Sequence, residues 1–452
     1  MAKSEYLTKP VQTDKMPRGV PYIVGNEAAE RFSYYGMNSI LVIFMTKYLM
    51  DAHGHPNHMT DAQADAWYHT FVSLTYGLCI LGAFLADAVI GKYLTILILS
   101  IVYCFGHFAL ALNDTRLGLM MGLGLIALGA GGIKPCVSAN VGDQFGKMNQ
   151  HLLPRIFSWF YFSINAGSAV STILIPELLD RIGPKVAFGT PGVFMVIATI
   201  IFWLGRRKFV HIQPSGTRVY LRELCRRDNL KTLGNLLIPV PFVAMFWALW
   251  QQNFSSWVVQ AEHMNRHLFG KEWLPSQIQT VNPLFILVLL PLFSYAIYPA
   301  IEKVFRLTPL RKIGMGFFTA AVSFLIVALI QMRIDAGQTP SILWQILAFL
   351  VLTAAEVMVS VTHLEFAYTQ APKKMKSLVM CTYLGAVSLG NVFTAAVNFF
   401  IQNPDGTVKL AGASYFFFFV KVMLVTAVLF MLVSPFYRGK TYIQDDSEPE
   451  PA

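Results

Sequence analysis

From Arg206 to Lys231 the chain reads RRKFVHIQPSGTRVYLRELCRRDNLK, and this stretch decides the organisation of everything around it. It sets Arg206, Arg207, Lys208, Arg218, Arg222, Arg226, Arg227 and Lys231 against only Glu223 and Asp228. On either side the sequence is apolar in runs of roughly 20 residues, each long enough to cross about 30 Å of hydrocarbon as a helix. Six runs precede it, centred near Ile40, Ile80, Ile101, Leu125, Ala166 and Ile197; six follow, near Ala244, Leu289, Ala321, Leu352, Ala386 and Leu424. Short basic links stay on the cytoplasmic side of a membrane, so this one is expected there. An even number of spans then puts both termini on the same side.

Composition agrees. The 452 residues are 55% hydrophobic and only 13% charged, with 35 Phe and a mean hydropathy of +0.52, where a soluble domain has about 25% charged residues. The net charge of +10 does not point to nucleic acid, because the cations sit in links: Lys92 after span two, Lys147 and Arg155 after span four, Lys303 to Lys312 after span eight, and Lys373, Lys374 and Lys376 after span ten. The expected fold is an all-α membrane protein of twelve helices in two six-helix bundles with a central cavity, the major facilitator arrangement. Its parts are a cytoplasmic segment (1–18), an N-terminal bundle (19–205), the basic cytoplasmic linker (206–232), a C-terminal bundle (233–437) and a cytoplasmic tail (438–452). Residues 1–18 carry no secretory signal, so no cleavage is expected.

Cys79, Cys104, Cys136, Cys225 and Cys381 have no disulfide or metal spacing. The link His53-Gly-His-Pro-Asn-His58 is exposed and irregular, and no metal or other cofactor is expected. No GxSxG, HExxH or comparable arrangement is present, which argues against an enzyme.

An ionised side chain in mid-membrane costs about 2.5–3.5 kcal/mol, so it lines a cavity and has a partner. The inventory is short: Glu27, Glu30 and Arg31 in span one, His69 and Asp87 near the ends of span two, Lys134 in span four, Glu356 and Glu365 in span ten. Glu27, Glu30 and Arg31 lie on one helix side at offsets of three and four. Two carboxylates to one guanidinium leave one Glu weakly compensated, which favours proton binding over a purely structural bridge. Lys134, in Gly129-Ala-Gly-Gly-Ile-Lys-Pro-Cys136, and Glu356 fall in opposite halves. They either lock the halves together or receive the carboxylate and ammonium of a peptide zwitterion, with Arg31 beside Lys134 and with Asn165 and Asn282 as neutral ligands. His69, in Trp67-Tyr-His-Thr-Phe71, is either a proton-responsive group or a neutral hydrogen-bonding residue.

Several runs together resemble the proton-dependent oligopeptide transporters: Glu27-Ala-Ala-Glu-Arg-Phe-Ser-Tyr-Tyr-Gly36, Phe160-Tyr-Phe-Ser-Ile-Asn-Ala-Gly167, Gly82-Ala-Phe-Leu-Ala-Asp87 with Gly91-Lys92, the run at Lys134, Asn282-Pro283, and Glu356-Val-Met with Leu364-Glu-Phe and Gln370-Ala-Pro372. The resemblance covers almost the whole chain. It implies proton-driven symport of di- and tripeptides by a monomer in the lipid bilayer. It also implies a pocket lined by Tyr34, Tyr35, Tyr76 and Trp247, with Tyr383 and Ser388 of span eleven. Proton coupling would fall to Glu27, Glu30, Arg31, His69 and Glu356, the His69 stretch being similar to the animal branch. Short links at Asp335–Pro340 and in the centre are similar to a minimal bacterial member in the inner membrane. Asn38 and Gln251 depart from the family, which commonly carries a basic and an acidic residue there; they are expected to face each other as a neutral gate. The alternatives are a proton-coupled carrier of nitrate, a drug or a peptide-like metabolite, and a peptide sensor that does not transport.

Overall fold

The structure is a computed structural model in which residues 6–226, 230, 234–369, 376–403 and 407–437 are described. Arg227, Asp228 and Lys231 of the linker, Gln370 to Pro372, Lys373, Lys374 and the tail 438–452 lie outside the described residues, as do the side chains of Glu365 and Lys376.

Twelve long helices form the spans. In the first half they are Val20–Lys47, Asp61–Val89, Lys92–Leu112, Arg116–Asp143, Leu153–Arg181 and Pro184–Leu204. In the second they are Gly234–Glu262, Pro275–Glu302, Pro309–Asp335, Leu343–Leu364, Lys376–Phe400 and Ala413–Val433. Eleven of them are apolar enough to cross a membrane on composition alone; span one, at 28 residues, falls short because it carries Glu27, Glu30 and Arg31. Starts follow local chemistry: Thr60 and Gln63 form a reciprocal capping box, and Thr115 and Thr308 accept from Gly118 N–H and Arg311 N–H.

Span three shows why the exterior is apolar. Ile98, Ile101, Phe105, Phe108 and Leu112 repeat at offsets of three and four and are exposed, while Ile96, Leu99, Tyr103 and Leu110 are buried between helices. Both faces are hydrophobic, so the outer one meets lipid. Within the first bundle span one packs on spans five and six, and span three on spans four and six; in the second, span seven packs on eleven and span nine on ten and twelve. The glycine run before Lys134 lets spans two and four nearly touch: a Cβ on Gly82 would collide with the Gly132 backbone.

The bundles meet along span two with eleven and span five with eight. One end of the molecule carries Lys92, Arg155 and Arg206 to Lys208 and is called here the basic face. There the segment from Tyr6 to Arg18 is tied to the linker, with His211 N–H donating to the Leu7 carbonyl at 2.7 Å. On the opposite face the His53–His58 link is shaped by Asp51, whose carboxylate accepts from the backbone N–H of His55 and His53 at 2.9 and 2.8 Å. These bonds, led by that from His55, hold the Asp51 carboxyl below its ordinary range.

Candidate functional site

Span one delivers its three charges to the bundle interior. Arg31 Nε lies 2.8 Å from Glu27 and 2.7 Å from Glu30, and all three side chains are almost wholly buried. Neither contact is well aligned, so both Glu30 oxygens and Arg31 Nε lack a proper hydrogen bond. Lys134 stands within electrostatic range of both Glu27 and Glu30. The count is therefore two carboxylates against two cations, not two against one as span one alone suggests. Lys134 makes no ion pair among the described residues; its ammonium rests 4.0 Å from the Tyr34 ring and 5.2 Å from the Tyr76 ring.

Across the bundle interface a cavity is lined by Tyr35, Tyr161 and Asn165 from the first half and by Trp250, Asn282 and Glu356 from the second. Glu356 is not paired with Lys134. Its Oε2 instead accepts from Trp250 Nε1 and Asn282 Nδ2, both at 2.9 Å, and Asn282 also donates to Thr353 Oγ1 at 3.0 Å. Glu356 is thus a half-buried carboxylate bonded only by neutral donors among the described residues. A wide helical turn, Val357–Val361, follows it immediately. Tyr35 reaches back toward Arg31, Trp247 stacks edge-on against Trp250 and Tyr383, and the Tyr383 hydroxyl meets Ser360 at 2.8 Å.

Toward the opposite face the bundles are bonded together. His69 is fully buried and touches only second-bundle groups through its ring nitrogens: Asn391 Oδ1 at 2.7 Å from Nδ1 and Ser255 Oγ at 3.1 Å from Nε2. Span seven presents Ser255 by breaking its regular helix, passing through a tighter turn at Gln251–Phe254 before resuming at Ser256. Ser388 donates to the Ser73 carbonyl at 2.8 Å, Thr172 meets Thr280 at 2.9 Å, and Lys47 pairs with Glu262 at 2.8 Å. No direct bond joins Asn38 to Gln251. Tyr68 sits between them, its hydroxyl accepting from Asn38 Nδ2 at 3.1 Å and donating to Gln251 Oε1 at 3.4 Å. Tyr68→Phe leaves both amides buried without that partner, so the closed arrangement should weaken by about 1 kcal/mol or more. Spin-label distances between positions 51 and 267 should then report more of the open form; an unchanged distribution would show that the bridge does not hold this end.

Several residues escaped the sequence reading. Span two begins at Asp61, not near His69, and so includes the buried Asp65. His107 is buried behind span one, bonded to Ser33 at 2.8 Å and stacked on Tyr103. Tyr68, Trp250 and Tyr161 are apolar-looking members of aromatic-rich runs. Tyr68 and Trp250 get their polar partners only from residues distant in the chain, so no local pattern could have singled them out; Tyr161 works with Asn165, one turn away.

The sequence model of the POT family matches residues 93–221 and 217–414. The chain belongs to the POT family. Peptide transporter family 1 of Drosophila melanogaster is 37% identical over 368 residues, 71% of this chain and 48% of the relative. Solute carrier family 15 member 2 of Homo sapiens is 36% identical over 374 residues, 71% of this chain and 49% of that one. The chain therefore spans about half the length of these animal relatives. Among solved structures, the in meso crystal structure of the POT family transporter PepTSo aligns with a TM-score of 0.85 at 34% identity, covering 94% of this chain and 99% of that one. An auto inhibited POT family peptide transporter aligns at 0.84 and 33% identity, covering 96% and 99%. This POT family member has the major facilitator fold, with twelve transmembrane helices in two six-helix bundles.

Proposed function

We propose that this POT family member is a proton-coupled symporter of di- and tripeptides that works by alternating access, with the termini and the basic face in the cytoplasm and the opposite face outside. One observation carries the reading: a cavity between the bundles is lined on one side by Glu356, bonded only by neutral donors, and on the other by Tyr35, which reaches back to Arg31 of the cationic cluster. A peptide zwitterion supplies what each side lacks. Its carboxylate goes to Lys134 and Arg31, its ammonium to Glu356, and Asn165 and Asn282 meet the backbone amide. Tyr34, Tyr35, Tyr76, Trp247, Tyr383 and Ser388 shape the space for side chains.

Protons enter the cycle at the span-one cluster, His69 and Glu356. When no ammonium is present, a proton on Glu356 removes the cost of a buried anion; when peptide binds, that proton is free to leave. The name of the Drosophila relative, Peptide transporter family 1, supports the substrate class. In proteoliposomes, labelled dialanine should accumulate under an inward proton gradient and stop when the gradient is dissipated. Binding without accumulation would mean a sensor, and failure of di-, tri- and tetrapeptides to compete would sink the peptide assignment.

A further inference from the structure

The closed outer end contains a carboxylic acid that the scheme above leaves unused. Asp65 lies one turn outward of His69 on span two, is 4% exposed, and has one oxygen, Oδ1, with no hydrogen-bond partner. The titratable groups around it are Asp61, Tyr68 and His69 on its own helix and Tyr415 from span twelve. Among the described residues no Lys or Arg pairs with it.

Its near neighbours on span seven are the hydroxyls of Ser255 and Ser256. Ser256 already donates its proton to Gln252 Oε1 at 3.1 Å, so it offers Asp65 only lone pairs. A carboxylate has nothing to give such a neighbour, whereas a protonated acid has one O–H. Ser255 is shared, since it is also the partner of His69 Nε2. A chain of contacts thus runs Asp65, Ser255, His69, Asn391, and crosses the bundle interface three times.

We propose that Asp65 is a further proton-binding residue, loaded from the outer side and held protonated while that end is shut. This rests on the symport reading. Opening that end parts span two from span seven and puts the carboxyl in water, where it ionises. Closing returns it to a site without a cation, so closure requires a proton on Asp65. The proton comes from external water, and no other bond is made or broken.

The test uses the full chain in proteoliposomes. Asp65→Asn keeps the shape and neutrality of the protonated acid, so it should fold and still exchange labelled dialanine for unlabelled across the membrane. Its concentrative uptake should lose much of its dependence on external pH, and one proton fewer should move per peptide. Asp65→Glu should restore both. Independently of any peptide, infrared difference spectra of the wild type should show the carbonyl stretch of buried protonated carboxyls, and Asp65→Asn should lose one component of it while that of Glu356 remains. An unchanged band, or an unchanged proton-to-peptide ratio, overturns the proposal. Absence of peptide uptake by the wild type would sink the symport reading instead, and leaves the infrared band to be judged by itself.

Discussion

Replacing Arg31 with Met should destabilise the protein by about 3–5 kcal/mol, the usual consequence of stranding buried charge. Glu27 and Glu30 would be left with Lys134 as their one nearby cation, and Lys134 is held against tyrosine rings without an ion pair. Adding Glu30→Gln to Arg31→Met brings the cluster to one anion and one cation, so much of the lost stability should return. Uptake should not return with it, because the guanidinium assigned to the peptide carboxylate is still missing. Thermal midpoints in detergent measure the first effect and dialanine uptake the second. A single variant that melts with the wild type would mean that the cluster does not depend on charge balance.

Glu356→Gln separates fold from function more cleanly. The new amide oxygen can accept from Trp250 Nε1 and Asn282 Nδ2 as the carboxylate does, so the helix contacts survive. Only the negative charge goes. Losing one partner of a buried, hydrogen-bonded charge pair costs about 2–5 kcal/mol, which makes uptake of dialanine fall by about 30-fold or more. The variant should also stop discriminating between dialanine and its N-acetyl form, which has no ammonium. If it still prefers the free amine as strongly as the wild type does, Glu356 is not the ammonium site.

Much of this was legible in the sequence, for reasons that particular residues make plain. Twelve apolar runs and one basic link require twelve helices divided six and six, because only helices and closed barrels satisfy the backbone in a bilayer and runs of about 20 residues are twice the length of a barrel strand. Glu27, Glu30, Arg31, Lys134 and Glu356 stood out because charge inside an apolar run is rare. What the sequence could not show was who meets whom. Lys134 and Glu356 look like a pair on charge alone, yet each has found nearer neighbours, tyrosine faces for one and an indole and an amide for the other. The expected contact between Asn38 and Gln251 runs through a tyrosine 30 residues from one and 183 from the other. Asp65 escapes because on sequence alone span two begins near His69, which leaves Asp65 in the outer link, where an acidic residue is ordinarily in water.

The wide turn below Glu356 has two counterparts among the described residues, Leu85–Val89 in span two and Phe293–Ile297 in span eight, each toward the basic end of its helix. A turn of this kind carries one surplus residue and breaks the regular ladder of backbone bonds. Mechanically, each is a soft collar between two stiff rods. The cross-bundle bonds at His69, Tyr68, Thr172 and Lys47 clamp the rods at the far end, so compliance and clamping are segregated along the length of the molecule. Strain applied to the rods is then taken up as rotation at the collars, and in span ten the collar lies directly beneath the side chain of Glu356.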